Sequence, residues 1–152
     1  MIQRARTTLS DLYEADETAW LDAMAKLIRQ RRFKDLDYKH LGEYLEDMAR
    51  RDRREVKSRL VVLMAHLLKW QFQPKRRSRS WRATIIHQRQ ELADDVGLGV
   101  LRNYAGSVLT SAYANAVKLA VAETGLVADA FPAECPYSLE QVLSEGNEDP
   151  GA

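Results

Sequence analysis

The stretch that decides the fold is Leu60-Val61-Val62-Leu63-Met64-Ala65-His66-Leu67-Leu68-Lys69-Trp70. Leucine, methionine and alanine dominate it, and these residues lose little on entering a helix. It lacks the polar–apolar alternation of a half-buried strand. Wound at 3.6 residues per turn, it is apolar on most sides. A helix of that kind belongs at the centre of a fold, with other helices wrapped around it.

Upstream, Leu41, Leu45, Met48 and Val56 continue the apolar spacing in steps of three or four, apart from one gap. The gap is 50–55, six consecutive charged residues. A helix there has no apolar face for more than a turn. Glu46–Arg50, Asp47–Arg51 and Glu55–Arg59 nevertheless place the acid four residues before the base, the favourable order for helical ion pairs. The spacing therefore predicts one long helix over 38–72, capped by Asp37, with a bend near 50–52 left open. Pro74 ends it, because the residue before a proline is disfavoured in helix.

Working outward, Asp16 caps a helix carrying Trp20, Met24, Leu27 and Ile28, ending near Arg31, with Leu9, Leu12 and Tyr13 in a turn leading into it. Ser78 or Ser80 caps a further helix with Trp81, Ile85, Leu92 and Val96, closed by Gly97 and Gly99. A fourth helical region, 100–123, carries the stripe Leu109, Ala112, Tyr113, Ala116 and Ala120. Small residues at these positions let another helix approach closely. Gly106 is a point at which this region could divide. Beyond Gly125 the prolines of Phe131-Pro132 and Cys135-Pro136 imply an irregular strap. Ser138 to Gln141 then forms a capping box that opens a short helix to about Leu143. The expected architecture is all-α: an irregular bundle of about four main helices with a C-terminal irregular strap and a short terminal helix. One domain over 1–152 suits the length, with a core of about 12–143 and flexible ends at 1–8 and 145–152.

Composition removes several function classes. One cysteine, Cys135, allows neither an internal disulfide nor a cysteine-based zinc site. A reducing, cytoplasmic setting is expected. No apolar stretch approaches the roughly 20 residues of a membrane span, so no membrane association is expected. No apolar segment follows Arg4 and Arg6 in the manner of a secretory signal. Neither a Gly-x-Ser-x-Gly elbow nor a phosphate-binding glycine loop is present, and the reading leans away from an enzyme. His40, Glu43 and Asp47 share one helix face, but these are too few ligands for a metal site, and no cofactor is implied.

The net charge of +1 conceals an asymmetry. Residues 1–90 hold 21 Lys/Arg against 12 Asp/Glu, a surplus of nine; residues 91–152 hold 2 against 10, a deficit of eight. Either the two halves neutralise each other, or a basic face attracts an anionic partner.

Several stretches point together to a family. They are 16–20, His66-Leu67-Leu68-Lys69-Trp70-Gln71, Arg77-Ser78-Arg79-Ser80-Trp81, Tyr113, Glu123-Thr124-Gly125 and Phe131-Pro132-Ala133-Glu134-Cys135-Pro136-Tyr137. In this order they resemble the bacterial family catalogued as domain of unknown function number twenty-nine, from about Leu12 to Leu143. The resemblance implies a small all-helical bacterial protein. It implies no activity and carries over no catalytic residue.

Two constellations are candidates for function. Five cations fall within the eight residues 75–82. Arg76, Arg77, Arg79 and Arg82, with Ser78 and Ser80 at a helix start, form a candidate anion-binding segment, since arginine forks and helix N-termini both suit phosphate. The alternative is that the arginines pair with the acidic C-terminal half and Trp81 enters the core. The second constellation is a polar stripe of Arg59, His66, Lys69 and Gln73 down the central helix, with Glu43 considered alongside. Burial among cations would keep His66 neutral, as a general base or orienting group, or as a structural histidine bonded to a carbonyl or tyrosine. Cys135, beside Glu134, reads as an apolar anchor rather than a reactive thiol.

The leading expectation is a non-enzymatic helical module that associates with a protein partner or with itself. A nucleic-acid or phosphate-binding regulator using 75–82 is the alternative. A ligand-binding or enzymatic site around His66 is the third.

Overall fold

The computed structural model describes residues 8–145. Among these the chain is all helical: α1 (Leu9–Ala15), α2 (Glu17–Arg29), α3 (Tyr38–Phe72), α4 (Arg79–Asp95), α5 (Val100–Thr124) and α6 (Leu139–Leu143). Short 3-10 turns at Phe33–Asp35, Pro74–Arg76 and Ala128–Ala130 connect them. The chain resolves into two compact units, Met1–Arg50 and Arg51–Ala152, with the division falling within α3. Of the expected flexible ends, 1–8 and 145–152, all but Thr8 and Glu145 lie outside the described residues.

In the first unit, the expected turn at Leu9, Leu12 and Tyr13 is instead a full helix, α1. Thr8 explains it: its hydroxyl accepts from the Asp11 amide, and the Asp11 carboxylate accepts from the Thr8 amide, a closed capping box. Asp16 breaks the chain between two helices. At φ −153° it leaves helical geometry, and its side chain accepts from the Ala19 amide to start α2. Trp20 and Met24 are buried. Arg31 ends this stretch at φ +56°, where glycine is the usual residue, while the Arg32 amide closes onto the Leu27 carbonyl.

In the second unit, α3 packs against α4 and α5. Leu60, Leu63, Met64, Ala65, Leu67 and Leu68 have no accessible surface, so the spine is enclosed on nearly every side. Ile85, Leu92 and Val96 meet it from α4; Ala105, Ala112, Tyr113, Ala116 and Ala120 meet it from α5. The strap contributes Phe131 and Tyr137, and α6 contributes Val142. The α5 helix runs through Gly106 without dividing, because the buried alanines on either side keep one continuous face in the core. Ser78, rather than Ser80, caps α4 by accepting from the Trp81 amide. The capping box at Ser138 and Gln141 forms as the sequence implies. Gly125 takes the left-handed conformation at φ +74° that closes α5.

Leu63→Ala should therefore destabilise the protein by about 2–5 kcal/mol, read from the midpoint of denaturant unfolding. Leu45→Ala, on the same helix but exposed in the first unit, should stay within about 0.5 kcal/mol.

Candidate functional site

The basic segment is arranged by one tether. Pro74 starts a 3-10 turn directly after α3, and Arg77 folds back over it. The Arg77 Nε donates to the Trp70 carbonyl at 2.8 Å, and its guanidinium lies 4.8 Å from the Trp70 ring centre. This cation–π and hydrogen-bonded contact holds the turn against the end of α3. Residues 74–80 and Arg82 are exposed. No described acidic side chain pairs with Lys75, Arg76, Arg79 or Arg82. Ser78 is committed to its cap, and Ser80 sits exposed in the first turn of α4. Trp81 is half-buried rather than sealed in the core, and the Lys69 ammonium lies 4.8 Å from its ring centre.

The residues of the polar stripe on α3 meet separate partners. Arg59 reaches Glu55 and, on α4, Gln88 and Glu91. Lys69 is buried, and its Nζ meets the Glu123 carboxylate of α5 at 2.5 Å. Gln73 is half-buried beyond the end of the helix. Glu43 is exposed in the first unit. The structure thus brings together His66, Lys69, Glu123 and Trp81. Nδ1 of His66 lies 2.8 Å from the Val62 carbonyl oxygen, and a carbonyl can only accept, so Nδ1 carries the proton. Burial, then the neighbouring Lys69 charge, lowers the imidazole pKa; the carbonyl bond and Glu123 oppose this without overcoming it. The ring is therefore neutral near pH 7, with its Nε2 lone pair available.

Sequence reasoning missed a second histidine cluster, in the first unit. The Asp37 carboxylate caps α3 and lies 2.7 Å from His40 Nδ1, while the Trp20 indole donates to the same carboxylate at 3.2 Å. The His40 ring stacks on Tyr13 with ring centres 4.4 Å apart. Ser10 Oγ also approaches Nδ1, at 3.3 Å. Serine and aspartate thus converge on one ring nitrogen. A proton relay needs them on opposite nitrogens, so this trio is not a nucleophilic triad. It is a staple joining α1, α2 and α3 inside the first unit. Burial, the largest influence, raises the Asp37 pKa, but the hydrogen bonds from His40 and Trp20 and the His40 charge together outweigh it. The carboxyl therefore titrates below its ordinary range.

Arg89 was also missed. It is almost fully buried, and its Nε donates to the Val142 carbonyl at 2.9 Å, fixing the end of α6 to α4. Its position four residues after Ile85 and three before Leu92 was the available signal: an arginine in register with an apolar stripe must find a buried acceptor.

A broad concavity lies elsewhere in the second unit. A half-open trough of about 950 Å³ separates α5 from the strap. Thr110, Tyr113, Ala114, Val117 and Lys118 form its helical wall, and Ala128, Asp129 and residues 131–135 form the other. The Tyr113 hydroxyl donates to the Pro132 carbonyl at 2.6 Å and ties the two walls together. Burial, then Cys135, pushes the Tyr113 pKa up to about 12, so the donor stays protonated. Cys135 donates to the Tyr137 carbonyl at 3.4 Å, and its burial raises the thiol pKa. Among the described residues, no three His, Cys, Asp or Glu side chains are grouped to hold a metal ion. No helix among them is long and apolar enough to cross a membrane.

The family model described as Domain of unknown function DUF29 matches residues 12–146. The chain belongs to this family. No curated protein and no solved structure matches it. The DUF29 span takes in the basic turn, the His66 neighbourhood, the trough and, apart from Ser10, the staple around Asp37 and His40.

Two titrations follow. In imidazole NMR, His66 should hold its proton on Nδ1 at pH 7 and titrate below 6.5; a midpoint above 6.5 would contradict the geometry. Because the folded pKa of Asp37 is depressed, its contribution is complete above the unfolded value of about 3.9 and fades as pH falls through the folded value. Asp37→Ala should cost about 1 kcal/mol near neutrality. Its acid unfolding profile should be shallower than that of the parent, read from the Trp20 indole N–H resonance.

Proposed function

We propose that this protein is a binding module whose basic turn, at Lys75, Arg76, Arg79 and Arg82, takes the phosphate backbone of a nucleic acid. The observation that carries the reading is the absence of any described acidic partner for these four exposed cations. The acidic C-terminal half could have neutralised them. Its Glu91 and Glu123 instead pair with Arg59 and Lys69 on α3. Uncompensated cations on the turn held by the Arg77–Trp70 contact and on the first turn of α4 form a pre-arranged positive patch. The first turn of α4 adds the positive end of a helix dipole to it.

The chemistry of the patch favours phosphate over a lipid surface. The exposed residues of 74–80 are cationic, serine or proline, with no bulky apolar side chain to insert among acyl chains. Arginine forks pair with phosphate oxygens without reading base sequence, so the expected binding is of low specificity. The other expectation, association with a protein, draws on a different surface: the trough beside α5.

Fluorescence anisotropy with a labelled DNA duplex tests the proposal. Four phosphate contacts give a slope of about −3.6 for log affinity against log salt, or roughly a hundredfold loss between 50 and 200 mM. Arg79→Gln should weaken binding and reduce the steepness of that slope by about one. Affinity that ignores salt, or stronger binding to anionic vesicles than to DNA, would overturn it.

A further inference from the structure

We infer that the trough between α5 and the strap is a docking site for a short peptide segment of a partner protein, one that carries a bulky apolar side chain flanked by a lysine or arginine. Three features of the trough select this occupant. The first is shape. From Thr110 to Lys118 the helical wall runs about 12 Å at 1.5 Å per residue, which spans about four residues of extended chain at 3.3 Å each. A half-open channel of 950 Å³ covers one side of such a segment. A small-molecule site normally encloses most of its ligand, and this trough is only half enclosed.

The second feature is the floor. Ala114, Val117, Ala133 and Pro132 offer apolar surface with little side-chain bulk, while Phe131 is anchored in the core. Alanines leave the depth that an incoming aromatic or aliphatic side chain fills. The walls are held in place without the occupant, by the Tyr113–Pro132 bond and the packing of Phe131 against Phe72. The trough therefore stands open rather than collapsed.

The third is charge. Asp129 and Glu134 both stand exposed on the strap wall, and neither has a cationic partner among the described residues. Lys118, on the helical wall, is the one cation among the lining residues. A cation on the docked segment would face the strap, and the apolar anchor would lie against α5.

The test selects phage-displayed random twelve-residue peptides on the full chain. Two variants run beside it: Ala114→Arg, which fills the trough from an exposed position on α5, and Ala133→Arg, which fills it from the strap. Circular dichroism checks the helical content of each, and either one folded suffices. The expected result is enrichment of peptides with an aromatic or large aliphatic residue within four positions of a Lys or Arg. Their affinity should fall at least tenfold on a folded filled variant. The double variant Asp129→Lys, Glu134→Lys should lose about tenfold and select acidic peptides instead. No enrichment, enrichment of acidic peptides on the parent chain, or equal binding to a filled variant would overturn the inference. So would light scattering that shows a parent dimer broken by Ala114→Arg, which would make a second copy of the chain the occupant. The basic turn takes no part in this readout, so failure of DNA binding and failure of peptide binding remain separate results.

Discussion

Enclosure of one segment of α3 is the constraint on which the second unit depends. Residues 60–68 place apolar side chains around most of the circumference of a helix, and six of those nine residues have no exposed surface. No single neighbour can cover a helix from every direction. The sequence answers with α4 on one side, the alanine face of α5 on another, and the strap and α6 over what remains. Each deeply buried leucine is worth roughly 1.5–3 kcal/mol of transfer free energy, so the arrangement cannot open at one side without a large loss. The few polar groups admitted to this region are matched: Lys69 to Glu123, Arg89 to the Val142 carbonyl, and Tyr113 to the Pro132 carbonyl. No buried side-chain nitrogen or oxygen is left without a partner among the described residues.

The two proposed binding surfaces are consequences of that enclosure. Once α3 must stop at the edge of the core, Pro74 turns the chain outward, and the Arg77–Trp70 contact pins the turn where the remaining cations meet solvent. Once α5 must approach α3 through alanines, the side of α5 facing the strap is left with Ala114 and Val117, and the shallow wall becomes a trough. Neither surface requires a moving part. The Ser10–His40–Asp37 trio in the first unit resembles a catalytic relay in composition only. Its geometry is that of a helix cap extended by one imidazole.

Local signals made most of the fold legible. The spacing of leucines, Pro74, the caps at Asp16, Asp37 and Ser78, and the box at Ser138 each act within a few residues, so the chain order alone reveals them. The α1 helix escaped because its start depends on a reciprocal Thr8–Asp11 bond and its packing on α2, while its own apolar stripe is short. The sites were less legible. Lys75, Arg76, Arg79 and Arg82 were visible as charges, but their lack of acidic partners depends on where Glu91 and Glu123 fall in space. His66 showed itself as a polar residue in an apolar run; that its Nδ1 meets a carbonyl one turn back follows from helix geometry. The trough left no signature, because residues 119–127 separate its two walls along the chain and its defining feature is empty space between small side chains.

Native-state amide hydrogen exchange followed residue by residue tests the central claim most directly, because the slowest amides open only when the whole core does. The expected result is that the amides of residues 60–68 exchange slowest of all, at the rate set by global unfolding. They should be joined by the buried faces of α4 and α5. If the 60–68 amides exchanged as readily as those at 50–55, the spine would not be the enclosed centre of the fold, and both binding surfaces would lose the scaffold that positions them.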